Sequence, residues 1–284
     1  MKKNNLVLPV LKWVGGKRQL LPEIKKYIPK TYTTYYEPFV GGGALLFELQ
    51  PSKAIVNDLN KELIDLYKVI QFNVDDLINE LSKPQYTNTQ EQYYAIRELD
   101  RKIEEYNKLT TIQKAARIIY LNKTCYNGLY RVNSAGEFNS PFGSYKNPNI
   151  INAPVLKAVN NYFNNAIITF KSEDFETSLK GIKRGAFVYF DPPYAPISET
   201  SNFTGYNESG FGKEEQIRLK NLCDKLNEKN VKFLLSNSDC EFIRNLYKNY
   251  EIISVKAKRA INSKADSRGE VGEVLIRNYG EDEK

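Results

Sequence analysis

The sequence contains no histidine, and only three of its 284 residues are cysteine. Without histidine the chain can use neither a Ser-His-Asp nor a Cys-His mechanism, and no metal site can be built on imidazole. Cys125, Cys223 and Cys240 lack C-x-x-C spacing, which argues against a disulfide framework and a zinc site. We therefore expect chemistry that depends on carboxylates, amides, aromatic rings, lysines or an organic cofactor, with no metal.

Long hydrophobic runs are also missing. No stretch approaches the roughly 20 apolar residues that span a bilayer. The run 6–11 is short, is broken by Pro9 and is followed by Lys12 without a small-residue cleavage site, so we expect no signal peptide. These absences predict a cytoplasmic protein that does not associate with membranes.

Positive charge exceeds negative charge, with a formal net charge of +7. The basic residues cluster near both ends of the chain: Lys2, Lys3, Lys12, Lys17, Arg18, Lys25, Lys26 and Lys30, then Lys256, Lys258, Arg259, Lys264 and Arg268. Basic clusters favour a polyanionic partner, and the 20 tyrosines favour nucleic acid because bases stack on aromatic rings. On charge alone, a merely solvated surface remains an equal alternative.

Short β-like runs alternate with segments of helical period. The runs are 35–39, 54–57, 166–170, 186–190, 231–236, 251–255 and 273–278, and the clearest helical segments between them are 213–227 and 239–247. This alternation predicts an α/β fold with a mostly parallel sheet of seven strands.

The gap between the second and third β-like runs is too long for one crossover helix. It contains helical segments at 61–83, 91–109 and 112–122, followed by a Gly-, Asn- and Pro-rich stretch at 127–154. A compact sheet does not carry so long a loop unless the loop forms its own structure. We predict a mainly helical inserted domain at 60–154, and a catalytic domain made of 1–59 and 155–284.

The tetrad Asp191-Pro192-Pro193-Tyr194 follows the β-like run 186–190. An ionised Asp191 and the Pro192 carbonyl offer only acceptors, and Tyr194 offers a flat face. This set suits a planar base that stacks on Tyr194 while its amino group donates to both acceptors. The alternative is a strand that ends in a proline turn, with Tyr194 as a surface aromatic.

A glycine turn follows the first β-like run and precedes a helix-like segment, in the order Glu37-Pro38-Phe39-Val40-Gly41-Gly42-Gly43. Glycines at such a turn allow the backbone to approach a ligand closely. Glu37 disfavours a phosphate there and suits a ligand that bears an amine. A tight structural turn is the equal alternative.

Acidic residues end two further β-like runs. Asp58 lies 17 residues after Gly41, where an acid can accept from both hydroxyls of a ribose. Asp174 could accept from an adenine amine, and Phe175 beside it could stack on the ring. A loop acid or helix cap is the alternative for either one.

A further turn near the amino terminus has the sequence Lys12-Trp13-Val14-Gly15-Gly16-Lys17. The glycine pair makes this turn flexible, and Lys17 after it could meet a carboxylate. A lone tryptophan is more often part of a core than of a cofactor site, but the position of Trp13 beside the glycine pair favours the site.

Taken in order, these motifs resemble the Dam/DpnII-type adenine-N6 DNA methyltransferases over nearly the whole chain. The insertion resembles the target-recognition segment of that family at 126–131 and 136–145, and the tail at 267–276 resembles its last strand. The resemblance implies a Rossmann-like class I methyltransferase sheet and transfer of a methyl group from S-adenosylmethionine to adenine N6 of GATC in double-stranded DNA.

By matching positions, the resemblance assigns roles to individual residues. It implies that Trp13, Lys17, Asp58 and Asp191 contact the cofactor or its pocket. Together with the residues interpreted above, the full set expected at the cofactor is Trp13, Lys17, Glu37, Phe39, Gly41, Gly43, Asp58, Asp174, Phe175 and Asp191. Those expected at the DNA are Lys12, Tyr126, Asn127, Leu129, Arg131, Pro141 and Tyr145, with Lys12 at the first base pair and Tyr126 filling the gap left by the adenine. Ser144 and Tyr130 depart from residues that some relatives carry, and the resemblance assigns them no role.

A base-reading role for Arg131 also follows from side-chain chemistry, because arginine is well suited to the two acceptors of guanine. Contact with a phosphate is the alternative. We expect a monomer that forms the modification part of a restriction-modification system without needing to contact the endonuclease; a methyltransferase that acts alone is the open alternative. The competing functions are methylation of cytosine N4 or of an RNA adenine, DNA binding on a vestigial cofactor fold, and nicotinamide-dependent oxidoreduction.

Overall fold

The computed structural model describes residues 3–13, 15, 17–196, 210–258 and 270–280. Val14 and Gly16 of the turn at 12–17 lie outside the described residues. So do Arg259, Lys264 and Arg268 of the second basic cluster, and residues 267–269 of the tail motif.

All seven predicted β-like runs form strands. They are β1 Tyr35–Glu37, β2 Lys53–Asn57, β3 Ile167–Lys171, β4 Phe187–Phe190, β5 Lys232–Ser238, β6 Glu251–Lys258 and β7 Glu270–Arg277. They form one sheet in the order β3-β2-β1-β4-β5-β7-β6. Strands β2, β1, β4 and β5 pair in parallel, whereas β7 is antiparallel to both β5 and β6. The predicted α/β class with a mostly parallel sheet is confirmed.

The helices connect these strands or precede them. They are α1 Leu21–Lys25, α2 Ala44–Leu49, α3 Lys61–Phe72, α4 Val74–Leu81, α5 Gln90–Arg97, α6 Ile103–Lys108, α7 Thr111–Thr124, α8 Ala153–Asn165, α9 Phe175–Ser178, α10 Lys213–Glu228 and α11 Glu241–Leu246. Helix α8 was missed by the sequence analysis, because its periodic residues follow a stretch that reads as a loop.

Two of the predicted long helices are interrupted. Asn73, with a φ of −137°, separates α3 from α4, so the prediction of one helix over 61–83 was wrong. A 3₁₀ turn at Glu98–Arg101 separates α5 from α6, so one helix over 91–109 was also wrong. Hydrophobic periodicity continues across both breaks and therefore does not show where the backbone leaves helical geometry.

The chain divides into two compact units, each made of several segments. The first unit comprises 1–16, 41–52 and 58–172, and the second comprises 17–40, 53–57 and 173–284. These bounds differ from the predicted domain boundaries, because residues 1–16, residues 41–52 and strand β3 group with the inserted helices. The assignment of 60–154 to DNA recognition stays a prediction.

The core of the first unit lies between α3 and the helices that pack on it, α4, α7 and α8. Leu66 and Ile70 of α3 are completely buried, as is Leu121 of α7. Helix α7 begins with a capping box. The Thr110 hydroxyl accepts from the Gln113 amide, and the Gln113 side-chain oxygen accepts from the Thr110 amide. Such reciprocal caps satisfy amide groups that a helix end leaves unpaired.

The core of the second unit is built on strand β4, all four of whose residues are buried. Val188 and Phe190 join one apolar cluster with Phe233 and Leu235 of β5 and with Leu219 of α10. A parallel strand covered on both faces is expected to be apolar throughout, and the run 186–190 has that composition. Among the described residues, no helix is long and apolar enough to cross a membrane.

Candidate active site

The second unit places Asp191 directly after β4, next to the ammonium group of Lys17. Lys17 Nζ lies 3.0 Å from Asp191 Oδ1, and the Ser236 hydroxyl donates to the same oxygen over 3.0 Å. Burial raises the pKa of the Asp191 carboxyl above its ordinary value, and the Lys17 charge offsets part of that rise. The carboxylate that Lys17 meets in this structure is therefore Asp191, and the contact of Lys17 with a cofactor stays a prediction.

Tyr194 presents its ring to the same ammonium group. Lys17 Nζ lies 4.1 Å from the ring centroid, which is within cation–π range. The Tyr194 hydroxyl donates to Glu273 Oε2 over 2.8 Å. Burial, together with the charges of Asp191 and Glu273, raises the pKa of Tyr194 well above its usual value, so the phenol stays protonated and keeps its hydrogen bond.

A buried amide network holds the backbone of this loop. Asn237 Oδ1 accepts from the Ala195 amide over 2.9 Å, and Asn237 Nδ2 donates to Gln216 Oε1 over 3.0 Å. Gln216 Nε2 in turn donates to the Pro193 carbonyl over 2.9 Å. Both amide side chains are completely buried, so the loop is held by groups that have no access to water.

Ser236, Asn237 and Glu273 were missed by the sequence analysis as site residues. A usable signal existed, because Ser236 and Asn237 are polar residues at the end of an apolar strand run. Glu273 pairs with Ser238 only through the antiparallel register of β7 on β5, and no spacing in the sequence reveals that register.

The three glycines at 41–43 lie in the first unit, where Gly41 contacts Trp13 and Asp58. Asp58 Oδ2 accepts from the Gly41 amide over 2.9 Å, and the Tyr67 hydroxyl donates to the Gly41 carbonyl over 2.6 Å. Gly41 has a φ of +46°, and a Cβ on it would lie 2.9 Å from Trp13 Cδ1. Glycine is required there both by the backbone angle and by the close approach of the indole.

Asp58 is a largely buried acid at the end of β2. Its Oδ1 accepts from the Asn60 amide over 2.9 Å. Burial raises the pKa of Asp58, while the two backbone amides act against that rise. Since each carboxylate oxygen has two acceptor positions, one position on each oxygen remains after these bonds.

The other predicted cofactor residues of the second unit have structural partners. Glu37 is buried and accepts from the Tyr35 hydroxyl over 2.8 Å. Phe39 and Phe175 pack together with centroids 5.4 Å apart. Asp174 caps α9 by accepting from the Glu176 and Thr177 amides. The helix-cap alternative for Asp174 is thus observed, and its contact with an adenine stays a prediction.

Asp174 also pairs with Arg218 of α10. Burial acts to raise the pKa of Asp174, but the Arg218 guanidinium and the backbone amides outweigh it and lower the pKa. Arg218 further covers the ring of Phe175, with its guanidinium carbon 4.4 Å from the centroid. Arg218 was missed by the sequence analysis because it lies 44 residues along the chain from Asp174.

Trp13 stacks on Tyr130 within the first unit. The ring centroids are 4.8 Å apart with an interplanar angle of 18°. Burial raises the pKa of Tyr130 to about 12, so the residue remains neutral. The sequence analysis assigned Tyr130 no role. The structure places it against Trp13 of the turn at 12–17.

Lys12 is tied to the predicted recognition segment through Asn122 of α7. Asn122 Oδ1 accepts from the Lys12 amide over 2.9 Å, and Asn122 Nδ2 donates to the carbonyls of Lys12 and Gly128. The exposed Lys12 ammonium group itself donates to the Asn127 carbonyl. Asn122 is buried and was missed, since an asparagine inside a helical run reads as a solvated position.

The predicted recognition segment, residues 126–145, is hydrogen-bonded to the end of α7. The Tyr126 amide donates to the Pro141 carbonyl over 2.8 Å, and the Gly143 amide donates to the Thr124 carbonyl over 2.8 Å. Tyr126 and Tyr145 expose 58% and 40% of their surface, as residues that contact DNA require. Ser144 has a φ of +50°, and its side chain remains without an assigned role.

The structure therefore groups predicted site residues into separate sets of contacts. Lys17, Asp191 and Tyr194 meet; Phe39 meets Phe175; Gly41 meets Trp13 and Asp58; Lys12 meets Asn127; and Tyr126 meets Pro141. Leu129 and Arg131 follow Asn127 directly in the chain, and Gly43 begins α2 with a φ of +67°. Pro192 is buried beside Asp191.

A family model described as D12 class N6 adenine-specific DNA methyltransferase matches residues 13–261. The chain is 44% identical over 281 residues to the Type II methyltransferase M1.LlaDCHI of Lactococcus lactis subsp. cremoris, covering 99% of each chain. It is 43% identical to the Type II methyltransferase M.MjaIII of Methanocaldococcus jannaschii, covering 96% of this chain and 99% of that protein. It is 38% identical to the DNA adenine methylase of Escherichia coli strain K12, covering 97% of this chain and 95% of that protein. The chain belongs to the D12 class of N6 adenine-specific DNA methyltransferases.

Proposed function

We propose that this adenine-specific DNA methyltransferase acts on GATC in double-stranded DNA, with S-adenosylmethionine as methyl donor. One observation carries the proposal for the catalytic step. The Asp191 carboxylate and the Tyr194 ring already bind an amino group, that of Lys17, at 3.0 Å and 4.1 Å. A carboxylate and an aromatic face that hold one amino group suit the exocyclic amine of a stacked adenine.

The catalytic roles follow from this arrangement. The target adenine takes the place that the Lys17 ammonium group occupies in this structure. It stacks on Tyr194, and its amine donates to Asp191 and to the Pro192 carbonyl. Asp191 orients the amine and stabilises the positive charge that develops on nitrogen. It is a poor base for so weak an acid as an aromatic amine, so the proton leaves after methyl transfer. Alignment of the nitrogen with the methyl group supplies much of the acceleration.

The residues present fit S-adenosylmethionine by the chemistry of their side chains. The cofactor carries a ribose, an adenine and an amino acid, and it supplies an electrophilic methyl group on a sulfonium sulfur. Asp58 keeps acceptor positions for hydroxyls, and Lys17 offers a cation for a carboxylate. We assign cofactor binding to Trp13, Lys17, Glu37, Phe39, Gly41, Gly43, Asp58, Asp174, Phe175 and Asp191.

Base flipping is required because an amine inside a duplex cannot reach Asp191 at the end of β4. Extrusion costs a few kcal/mol, which stacking on Tyr194 and insertion of the exposed Tyr126 would offset. Arg131, Leu129, Asn127 and Pro141 would read the flanking bases, with Lys12 at the first base pair and Tyr145 on the DNA. The exposure of Tyr126, Arg131 and Tyr145 supports this assignment.

The test is expression in a host that lacks adenine methylation, followed by mapping of modified bases across its genome. We expect N6-methyladenine confined to GATC, and none from the Asp191→Ala variant. Adenine methylation at other sites would keep the chemistry and discard the proposed target. Methylation of cytosine N4 or of an RNA adenine would show that the substrate is not the one proposed. DNA binding without any modification would favour a DNA-binding protein with a vestigial cofactor fold.

A restriction-modification role is the second part of the proposal, and two relatives named Type II methyltransferases support it. The protein would protect DNA as a monomer without binding the endonuclease. Genomic DNA from the expressing host should then resist an endonuclease that cleaves unmethylated GATC. Co-purification of a stable complex with a cognate endonuclease would contradict the independent action proposed here.

A further inference from the structure

Arg131 and Asn139 lie opposite each other in a short ribbon of the recognition segment. The Asn139 amide donates to the Arg131 carbonyl over 2.9 Å. In the other direction, Arg131 Nε donates to Asn139 Oδ1 over 3.0 Å. A β-bridge between Val132 and Phe138 closes the ribbon next to this pair. Asn139 therefore holds Arg131 both by its backbone and at the inner nitrogen of the guanidinium group.

Phe138 attaches this ribbon to the helical part of the first unit. Its amide donates to Asp100 Oδ2 over 2.7 Å, and its carbonyl accepts from the terminal amine of Arg101 over 3.0 Å. Its ring is completely buried. Because both polar backbone groups and the ring of Phe138 are held, the next residue, Asn139, starts from a fixed position.

A buried ion pair supports that attachment. Arg117 of α7 is only 2% exposed, and its terminal amine lies 2.7 Å from Asp100 Oδ2. Arg117 also donates from Nε to the Ile96 carbonyl over 2.9 Å. The Asp100 side chain is only 12% exposed. A carboxylate so placed, with its countercharge and a backbone donor, is held in one geometry, so Asp100 presents a fixed acceptor to the ribbon.

The nitrogen that Asn139 engages decides how Arg131 can contact a base. Arginine has five N–H donors in a planar fork. The bond to Asn139 is made through Nε and does not use the two terminal amino groups. A pair of such donors matches the O6 and N7 acceptors of guanine. An arginine without this restraint would sample many rotamers in solvent and would lose that freedom on binding.

We propose that Asn139 is a positioning residue for sequence discrimination, acting by fixing the guanidinium group of Arg131. The proposal rests on the proposed role of Arg131 as a base reader. Two other roles for Asn139 make different predictions. A residue that only stabilises the ribbon would alter thermal stability without changing site preference, and a residue that contacts a phosphate would alter methylation equally at every site.

The experiment measures kcat/KM on short duplexes that carry GATC or each of its single-base variants. We expect Arg131→Ala to lower discrimination at one base pair by about 5- to 150-fold. Asn139→Ala should lower discrimination at that same base pair by about 2- to 12-fold, and should have no further effect in the Arg131→Ala background. Asn139→Asp keeps an acceptor for Nε and should retain the wild-type ratio, since a uniform loss of affinity cancels in a ratio.

Two controls keep the result interpretable. Asn149→Ala removes an exposed asparagine from the same segment and should leave every ratio unchanged. Asn139→Leu, with a side chain of similar size, replaces Asn139→Ala if that variant has a lower melting temperature. An equal loss on all duplexes, or an additive loss in the double variant, would overturn the role of Asn139. If Arg131→Ala changes discrimination at no position, the proposed reader fails first and the inference falls with it.

Discussion

At the scale of single residues, the catalytic proposal depends on the state of one carboxylate. Asp191 is raised in pKa by burial, and it has the Lys17 ammonium group 3.0 Å away and the Ser236 hydroxyl at the same distance. The ionised form offers acceptors at both oxygens and no donor, whereas the protonated form carries a donor hydroxyl. The residues around Asp191 therefore determine the fraction of the enzyme that can hold an amine.

Replacement of this carboxylate should separate chemistry from DNA binding. We expect Asp191→Ala to lower methyl transfer by about 100-fold or more, as expected when a group that stabilises the transition state is lost. DNA affinity should stay near the wild-type value, because the predicted DNA contacts lie elsewhere. Single-turnover methylation and equilibrium binding to a GATC duplex measure the two quantities. Turnover retained by Asp191→Ala would remove the residue from the mechanism.

The pH dependence of the reaction should report the same group. Because the folded pKa of Asp191 is raised above the ordinary value of about 3.9, activity is present above that raised pKa and falls as pH drops through it. Lys17→Met removes the charge that offsets the rise, so the acid limb of kcat/KM should move to higher pH. Lys17→Arg keeps the charge and serves as the control. An acid limb at the same pH in both variants would contradict this assignment.

At the scale of elements, the recognition segment is shaped by contacts with the end of α7. Gly143 lies against the backbone there, and a Cβ on it would come within 2.8 Å of the Thr124 and Cys125 carbonyl oxygens. Backbone atoms cannot move aside as the end of a flexible side chain can. The close approach explains why a residue without a side chain is placed at this position.

Gly143→Ala should therefore destabilise the protein by about 1–3 kcal/mol, the usual cost of overpacking. The free energy of unfolding from denaturant titration measures this change. Gly280→Ala is the matched control, since a Cβ on Gly280 meets nothing within 4 Å. Methylation of GATC should fall with Gly143→Ala at temperatures where the control remains active. Equal stability of the two variants would show that the segment adapts to the added methyl group.

At the scale of the whole molecule, the proposed cofactor should stabilise the folded state. A ligand that binds only the native protein raises the free energy of unfolding by about 2.7 kcal/mol at 100 times its Kd. We expect S-adenosylmethionine to raise the melting temperature of the wild-type protein. Asp58→Ala should reduce this shift, because it removes the proposed acceptor for the ribose. Asp76→Ala, which changes an exposed acid on α4, should not.

An unchanged shift in Asp58→Ala would remove that residue from the cofactor site while leaving the methyltransferase assignment intact. A wild-type protein with no shift at any concentration of S-adenosylmethionine would contradict the proposed cofactor. The measurement reports binding without turnover, so it is independent of whether the duplex target is GATC.

The strands and the main motifs were predictable from the sequence because they depend on local patterns of residues. Apolar runs of the right length predicted all seven strands, and motifs such as Asp191–Tyr194 and Gly41–Gly43 predicted the family and its chemistry. Such patterns depend on neighbours along the chain, where strand propensity, turn residues and side-chain chemistry act directly. The breaks at Asn73 and at Glu98–Arg101 escaped prediction because hydrophobic periodicity does not record backbone angles.

What only the tertiary structure decided are the partners that come from distant parts of the chain. Lys17 reaches Asp191, Glu273 reaches Tyr194, Tyr130 stacks on Trp13, and Asp100 holds Phe138. No local pattern contains these pairs, because each depends on strand register and on how helices pack. The sequence by itself determined which chemical groups the enzyme has, and the packing of its core decided which of them meet.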